Sequence, residues 1–125
     1  MGSALEREDG LRVWPPTAIE AKTQLNGEKI DCLLNEMDLV PVGAVEYVCL
    51  KDIYGSFLDS IEKAGFVRDG HERRLVVLDH DWRRDLVDHV GPVLAKRLHQ
   101  LVDKEGATRL RFIAHSMGGL VARIL

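Results

Sequence analysis

Apolar positions along this chain follow two rhythms, and each predicts an element. In "DIYGSFLDSIEKAGF", Ile53, Tyr54, Phe57, Leu58, Ile61 and Ala64 recur every three or four residues, the spacing of one face of a helix. Asp52 is placed to cap its start and Gly65 its end. A second stripe, Leu86, Val87, Val90, Val93, Leu94, Leu98, Leu101 and Val102, predicts a longer helix that Gly106 stops. Gly91-Pro92 early in that stripe marks a bend or the true start. Elsewhere alternation is missing altogether. Leu75-Val76-Val77-Leu78 is continuously apolar, and "LRFIAH" over 110–115 is a second short apolar segment; such runs suit strands buried on both faces.

Strand, helix and strand at this spacing predict a right-handed βαβ crossover, and so two parallel strands in one sheet. The expected class is α/β with a parallel-sheet βαβ core. Both strands then end on the same edge, where open α/β sheets hold their ligands. The tips at that edge are "DHDWRRD" and "HSMGG". Residues 1–45 read as an irregular segment punctuated by "VWPPT" and "LVPVG", with a short helix around "IEAKTQL". Residues 46–125 read as a helix-strand-helix-strand-elbow-helix core, the whole of 1–125 forming one domain.

The second tip carries the chemistry. Ala114-His115-Ser116-Met117-Gly118 fits the small-x-Ser-x-small nucleophile elbow, in which a strained strand-to-helix turn exposes the serine. Bulky side chains two before and two after the serine would crowd the turn. The Met117 N–H, at the start of the helix that "LVARIL" continues, is placed to donate to an oxyanion. The plainer alternative is a serine that only caps a helix.

Composition narrows the picture by exclusion. The 125 residues are 46% hydrophobic and 30% charged, with a formal net charge of −3. Charges alternate in sign, so neither nucleic acid nor an acidic membrane is expected as a partner. No apolar run is long enough to span a bilayer, and "MGSALEREDG" lacks the apolar stretch of a signal peptide. Cys32 and Cys49 match no metal spacing and read as reduced, partly buried thiols. No metal or cofactor is expected. His89 and His99 fall on the surface of the long helix. His115 adjoins Ser116, but side chains diverge at an elbow. Arg73-Arg74 and Arg83-Arg84 read as solvated flanks.

With these residues in view, "IAHSMGGLVAR" resembles the elbow of the lecithin:cholesterol acyltransferase-like branch of the α/β-hydrolases. That branch carries a Tyr-Asp-Trp-Arg loop one strand earlier, and this chain has His80-Asp81-Trp82-Arg83. It also has a Pro-Gly-Ile-Met-Gly-Ser-like loop before a tryptophan-proline segment, and this chain begins Met1-Gly2-Ser3 and continues to "VWPP". The resemblance implies a partial α/β-hydrolase fold and a lipid ester, or another ester, as substrate. It implies that Ser116 forms an acyl-enzyme, with oxyanion donors at Met117 and Met1. Asp81 and Trp82 would border the substrate, and His80 would serve as pocket wall or structure. The family's acid and histidine follow the nucleophile in the chain. Nothing after Ser116 in "MGGLVARIL" is either one, so the expectation is an N-terminal piece of an acyltransferase or esterase, inactive alone. A triacylglycerol lipase, a thioesterase and a non-catalytic α/β module are the alternatives.

Overall fold

A computed structural model describes residues 2–22, 27–68, 70 and 73–125. The chain is mixed α and β, and it divides into two compact units, 1–81 and 82–125.

The first unit is built on a three-stranded antiparallel sheet. Strand β1 (Ser3–Glu6) lies between β2 (Arg12–Trp14) and β3 (Val40–Ala44). Pairing sets Leu5 opposite Trp14 and Pro41, and Ser3 opposite Ala44. Leu5 and Val13 have no solvent exposure, and Ala4, Leu39 and Val45 are buried with them. Each fully buried Leu or Val contributes about 1.5–3 kcal/mol, which explains why strands this short persist. The 7–11 connection closes through Arg7 N–H to the Leu11 carbonyl at 3.0 Å, and Gly10 takes φ +83. Outside the sheet, β3 is blunted at two places. Pro41 has no N–H to offer, and the Gly43 N–H goes to the Asp79 carboxylate at 2.6 Å.

The segment 1–45, expected to be irregular, therefore holds the sheet and much of the core. Its turn-like signals have structural uses: proline sits on an edge strand or just after one, since Pro15 follows β2 through a cis peptide bond. Helix α1 (Ala18–Lys22) coincides with the start of the expected short helix; residues 23–25 of that expectation lie outside the described residues. It opens with a capping box. Thr17 N–H donates to Glu20 at 2.8 Å and Glu20 N–H to Thr17 Oγ1 at 3.3 Å. The Lys29 ammonium, 2.7 Å away on α2 (Gly27–Asn35), and then the Thr17 bonds hold the Glu20 carboxyl down to about 2.

A hairpin of β4 (Tyr47–Val48) and β5 (Lys51–Asp52) leads into α3 (Gly55–Lys63), the first helix expected from the apolar stripe. Asp52 does cap it, by accepting the Ser56 N–H at 3.1–3.2 Å and the Ser56 hydroxyl. Gly65, at φ +91, takes the left-handed residue after its end. Arg68 then ties the unit together by donating 2.6 Å bonds to Glu46 and Glu62.

In the second unit, a π-helical turn (Leu86–Val90) runs into α4 (Gly91–Glu105), and α5 (Met117–Ile124) packs against that turn. Asp85 caps the start, accepting the Val87 and Asp88 N–H groups at 2.8 and 2.7 Å. Gly91-Pro92 marks the true α-helical start, and Gly106 ends it at φ 60, ψ 31. Val90, Leu94 and Val121 are this unit's buried apolar side chains among the described residues. Val87 and Val93, also part of the predicted stripe, are 64% and 54% exposed.

The expected parallel βαβ core does not form among the described residues. The sheets among the described residues are antiparallel, and neither 75–78 nor 110–115 joins a ladder. The reason is physical. A central parallel strand needs a partner for each N–H and C=O on both sides. Leu110, Phe112 and Ile113 instead stand 46%, 50% and 67% exposed. An apolar run records what the side chains would bury; it does not supply the neighbours.

The packing of α5 on the π turn rests on Gly91. A Cβ there would lie 2.6 Å from Ile124 Cγ2 and 3.1 Å from the Leu86 carbonyl oxygen. Isoleucine is stiff at χ1 and the carbonyl is backbone, so neither yields freely. Gly91→Ala should destabilise by about 1–3 kcal/mol, and Ile124→Ala in the same chain should recover part of that. Thermal melts of the two variants and their double check it; strict additivity would break the assignment.

Candidate functional site: the Ser116 turn

The elbow predicted from sequence forms a distinct backbone feature. His115, Ser116, Met117 and Gly118 make a four-residue turn closed by the Gly118 N–H to the His115 carbonyl at 3.0 Å. Ser116 occupies its second position with φ 55 and ψ −127. Those angles are the mirror of a type II turn, a II′ geometry that glycine dominates at that position. A side chain there costs about 1–3 kcal/mol. The next bond, Gly119 N–H to the Ser116 carbonyl at 2.9 Å, carries the chain into α5.

The geometry at Ser116 differs from that of a capping serine. A capping serine sits in the β region and accepts a helix N–H through its hydroxyl. Ser116 is left-handed, solvent-exposed and makes no side-chain cap bond. Its hydroxyl is presented at the surface instead of being spent on the helix. Met117 begins α5, and no bond of the turn uses its N–H, one of the donors a helix leaves unpaired at its start. The small residues behave as expected with one refinement. A Cβ on Gly118 would meet Ala114 Cβ at 3.8 Å, an ordinary contact, so alanine fits there and larger side chains are what the turn resists.

The other predicted site residues are distributed as follows. Met1 lies outside the described residues. Asp81 is buried, 8% exposed, and closes the first unit; Trp82, half-buried, opens the second. Two loop anchors escaped the sequence reading: the Asp79 carboxylate holds the Gly43 N–H, and the buried Ser3 hydroxyl accepts the His80 N–H at 3.1 Å. Neither has a local signal, because their partners lie 36 and 77 residues away along the chain.

His99 Nδ1 donates to the Ala95 carbonyl at 2.7 Å on its own helix, and His89 Nδ1 faces the Arg84 guanidinium at 3.5 Å. His71 lies outside the described residues. His80, in the first unit, is half-buried, and neither ring nitrogen has a hydrogen-bond partner of ordinary geometry. Burial pushes its pKa below the usual histidine value, against the opposing pull of the Leu78 carbonyl, Asp79 and Asp81. Among the described residues no cluster of three or more potential ligands is arranged to hold a metal. An open hollow of about 310 Å³ is lined by Arg7, Glu8, Asp9, Glu36 and Asp38. It contains none of the predicted site residues, and Arg7 lies 3.5 Å from Glu36, as on a solvated charged face.

No family model, curated protein or solved structure matches the chain.

Two outcomes follow. Ser116→Gly should be more stable than the parent by roughly 0.5–2 kcal/mol, since glycine removes the steric cost at positive φ. Ser116→Ala keeps its Cβ and should melt near the parent temperature. A Ser116→Gly protein no more stable than Ser116→Ala would mean the turn is unstrained. For His80, the folded pKa lies below the unfolded value near 6.5, so the unfolded chain takes up the proton first. Stability should be fully present above about pH 6.5 and fall as pH drops through the folded pKa. His80→Gln should flatten that part of a melting-temperature profile against pH; an unchanged profile would remove His80 as its source.

Proposed function

We propose that Ser116 is the nucleophile of a serine α/β-hydrolase acting on a lipid or other ester. One observation carries the reading: a non-glycine residue held at φ 55, ψ −127 in a closed turn, with its hydroxyl exposed and unused by the helix behind it. Backbone strain of this kind persists where function requires it. The quoted resemblance to lecithin:cholesterol acyltransferase-like enzymes supplies the substrate class.

In this mechanism Ser116 Oγ attacks the ester carbonyl while a base removes its proton. The Met117 N–H holds the oxyanion, and the alcohol leaves as the acyl-enzyme forms. Water or a second alcohol then takes the acyl group. Asp81 and Trp82 border the acyl chain. In the resembled family the base and its orienting acid follow the nucleophile, in the order serine, acid, histidine. The finer fold, an α/β-hydrolase-like parallel βαβ core, belongs to the same proposal and rests on the apolar runs at 75–78 and 110–115.

The decisive measurement is turnover of the protein that carries these residues with its base and acid. Ser116→Ala there should cost about 10⁴–10⁶ in kcat, as loss of a triad member does, and should abolish labelling by a fluorophosphonate. Retention of more than about a tenth of the activity would remove Ser116 from the chemistry. The 125-residue chain alone should hydrolyse p-nitrophenyl butyrate no faster than its Ser116→Ala variant, because an unassisted hydroxyl stays protonated at neutral pH. A serine-dependent rate from it would put the base among this chain's own histidines.

A further inference from the structure

We propose that Ser3 and Asp79 are positioning residues that clamp the loop at 79–81 to the sheet and so set selectivity for acyl-chain length, a role that rests on Ser116 being the nucleophile. The starting point is an irregularity in the sheet. Ser3 pairs with Ala44 and Leu5 with Pro41, so two steps along β1 match three along β3. The extra residue makes a bulge, and Gly43 within it takes φ +76. Bulges release a backbone group from the ladder and recur beside active sites. Here the released Gly43 N–H donates to the Asp79 carboxylate at 2.6 Å.

A second bond sits one position along. Ala44, the next residue after Gly43, is the partner of Ser3, and the buried Ser3 hydroxyl accepts the His80 N–H at 3.1 Å. Neighbouring sites on the sheet thus hold neighbouring residues of the loop. One bond would locate the loop and leave it free to swing; two also fix its direction. The next residue is Asp81, 8% exposed, which the proposed mechanism sets against the acyl chain. Burying the hydroxyl and half-burying the carboxylate cost desolvation that their bonds only offset. Stability alone gives little reason for both. A substrate wall does give one, because a wall held by rigid strands discriminates where a loose loop yields.

Two measurements test the clamp and its use separately. In the 125-residue chain, amide hydrogen exchange reads the clamp, taken relative to the slowest core amides. Ser3→Ala should speed exchange at His80 and, because both bonds hold one loop, about tenfold at Gly43 as well. Asp79→Ala should speed both, whereas Asp79→Asn, which keeps an acceptor oxygen, should leave both near the parent rates. Gly43 exchange unmoved by Ser3→Ala would overturn the clamp whatever Ser116 does. In the protein that carries these residues with its base and acid, the kcat/KM ratio for p-nitrophenyl octanoate over butyrate reads selectivity. That ratio does not depend on the fraction folded, so Val13→Ala, which only weakens the core, should leave it unchanged. Ser3→Ala and Asp79→Ala should each shift it about tenfold, and Asp79→Asn should keep most of the parental ratio. A ratio unmoved by Ser3→Ala, or moved as far by Val13→Ala, would overturn the proposal while the Ser116 dependence of turnover stands. Turnover that survives Ser116→Ala would overturn the nucleophile and the selectivity with it, leaving the exchange rates as they are.

Discussion

The hydrogen bond from the Gly118 N–H to the His115 carbonyl is the interaction on which the geometry of the Ser116 turn depends. It closes the turn in four residues and so forces Ser116 into a backbone region from which its Cβ is normally excluded. Without it, the serine would relax toward the β region and its hydroxyl would turn back to cap α5, as serines at helix starts do. The helix contributes from the other side. Gly119 bonds to the Ser116 carbonyl at once, so the serine cannot relax without unwinding the first turn of α5. The strain is therefore held by two short backbone bonds and by the burial of Val121, which anchors that helix to its unit.

This division explains why the elbow was legible from sequence while the sheet was not. The elbow, α3 and α4 are local: each is specified by residues within a few positions of one another, and their caps at Asp52, Gly65 and Gly106 fall where spacing placed them. The antiparallel sheet is not local. Its central strand is four residues long, and it pairs with Val40–Ala44 across more than thirty intervening positions. Short strands with proline on the edge carry the same local signals as loops. Only one part of that region was legible in its pattern, the start of the short helix at Ala18–Lys22.

The opposite error arose at 75–78 and 110–115. There the apolar run is real and the prediction of a buried strand follows from it, yet burial is a property of two surfaces. Val76 remains 36% exposed, and Ile113 67%. The first segment is nevertheless held at its end, because Asp79 bonds to Gly43 and His80 to Ser3. Both bonds join the loop that follows the apolar run to β1 and β3. Thus the tip that carries His80-Asp81 is positioned by the N-terminal sheet, although 75–78 itself lacks a ladder.

That anchoring also bears on why His80 is tolerated. An imidazole with no well-formed hydrogen bond is expensive to bury, and more so when charged. Aromatic or aliphatic side chains would fill the same volume without that cost. What keeps the position polar-compatible is its backbone, since the His80 N–H is satisfied by Ser3 whatever the side chain does. The loop geometry at 79–81 is consequently independent of the identity of residue 80.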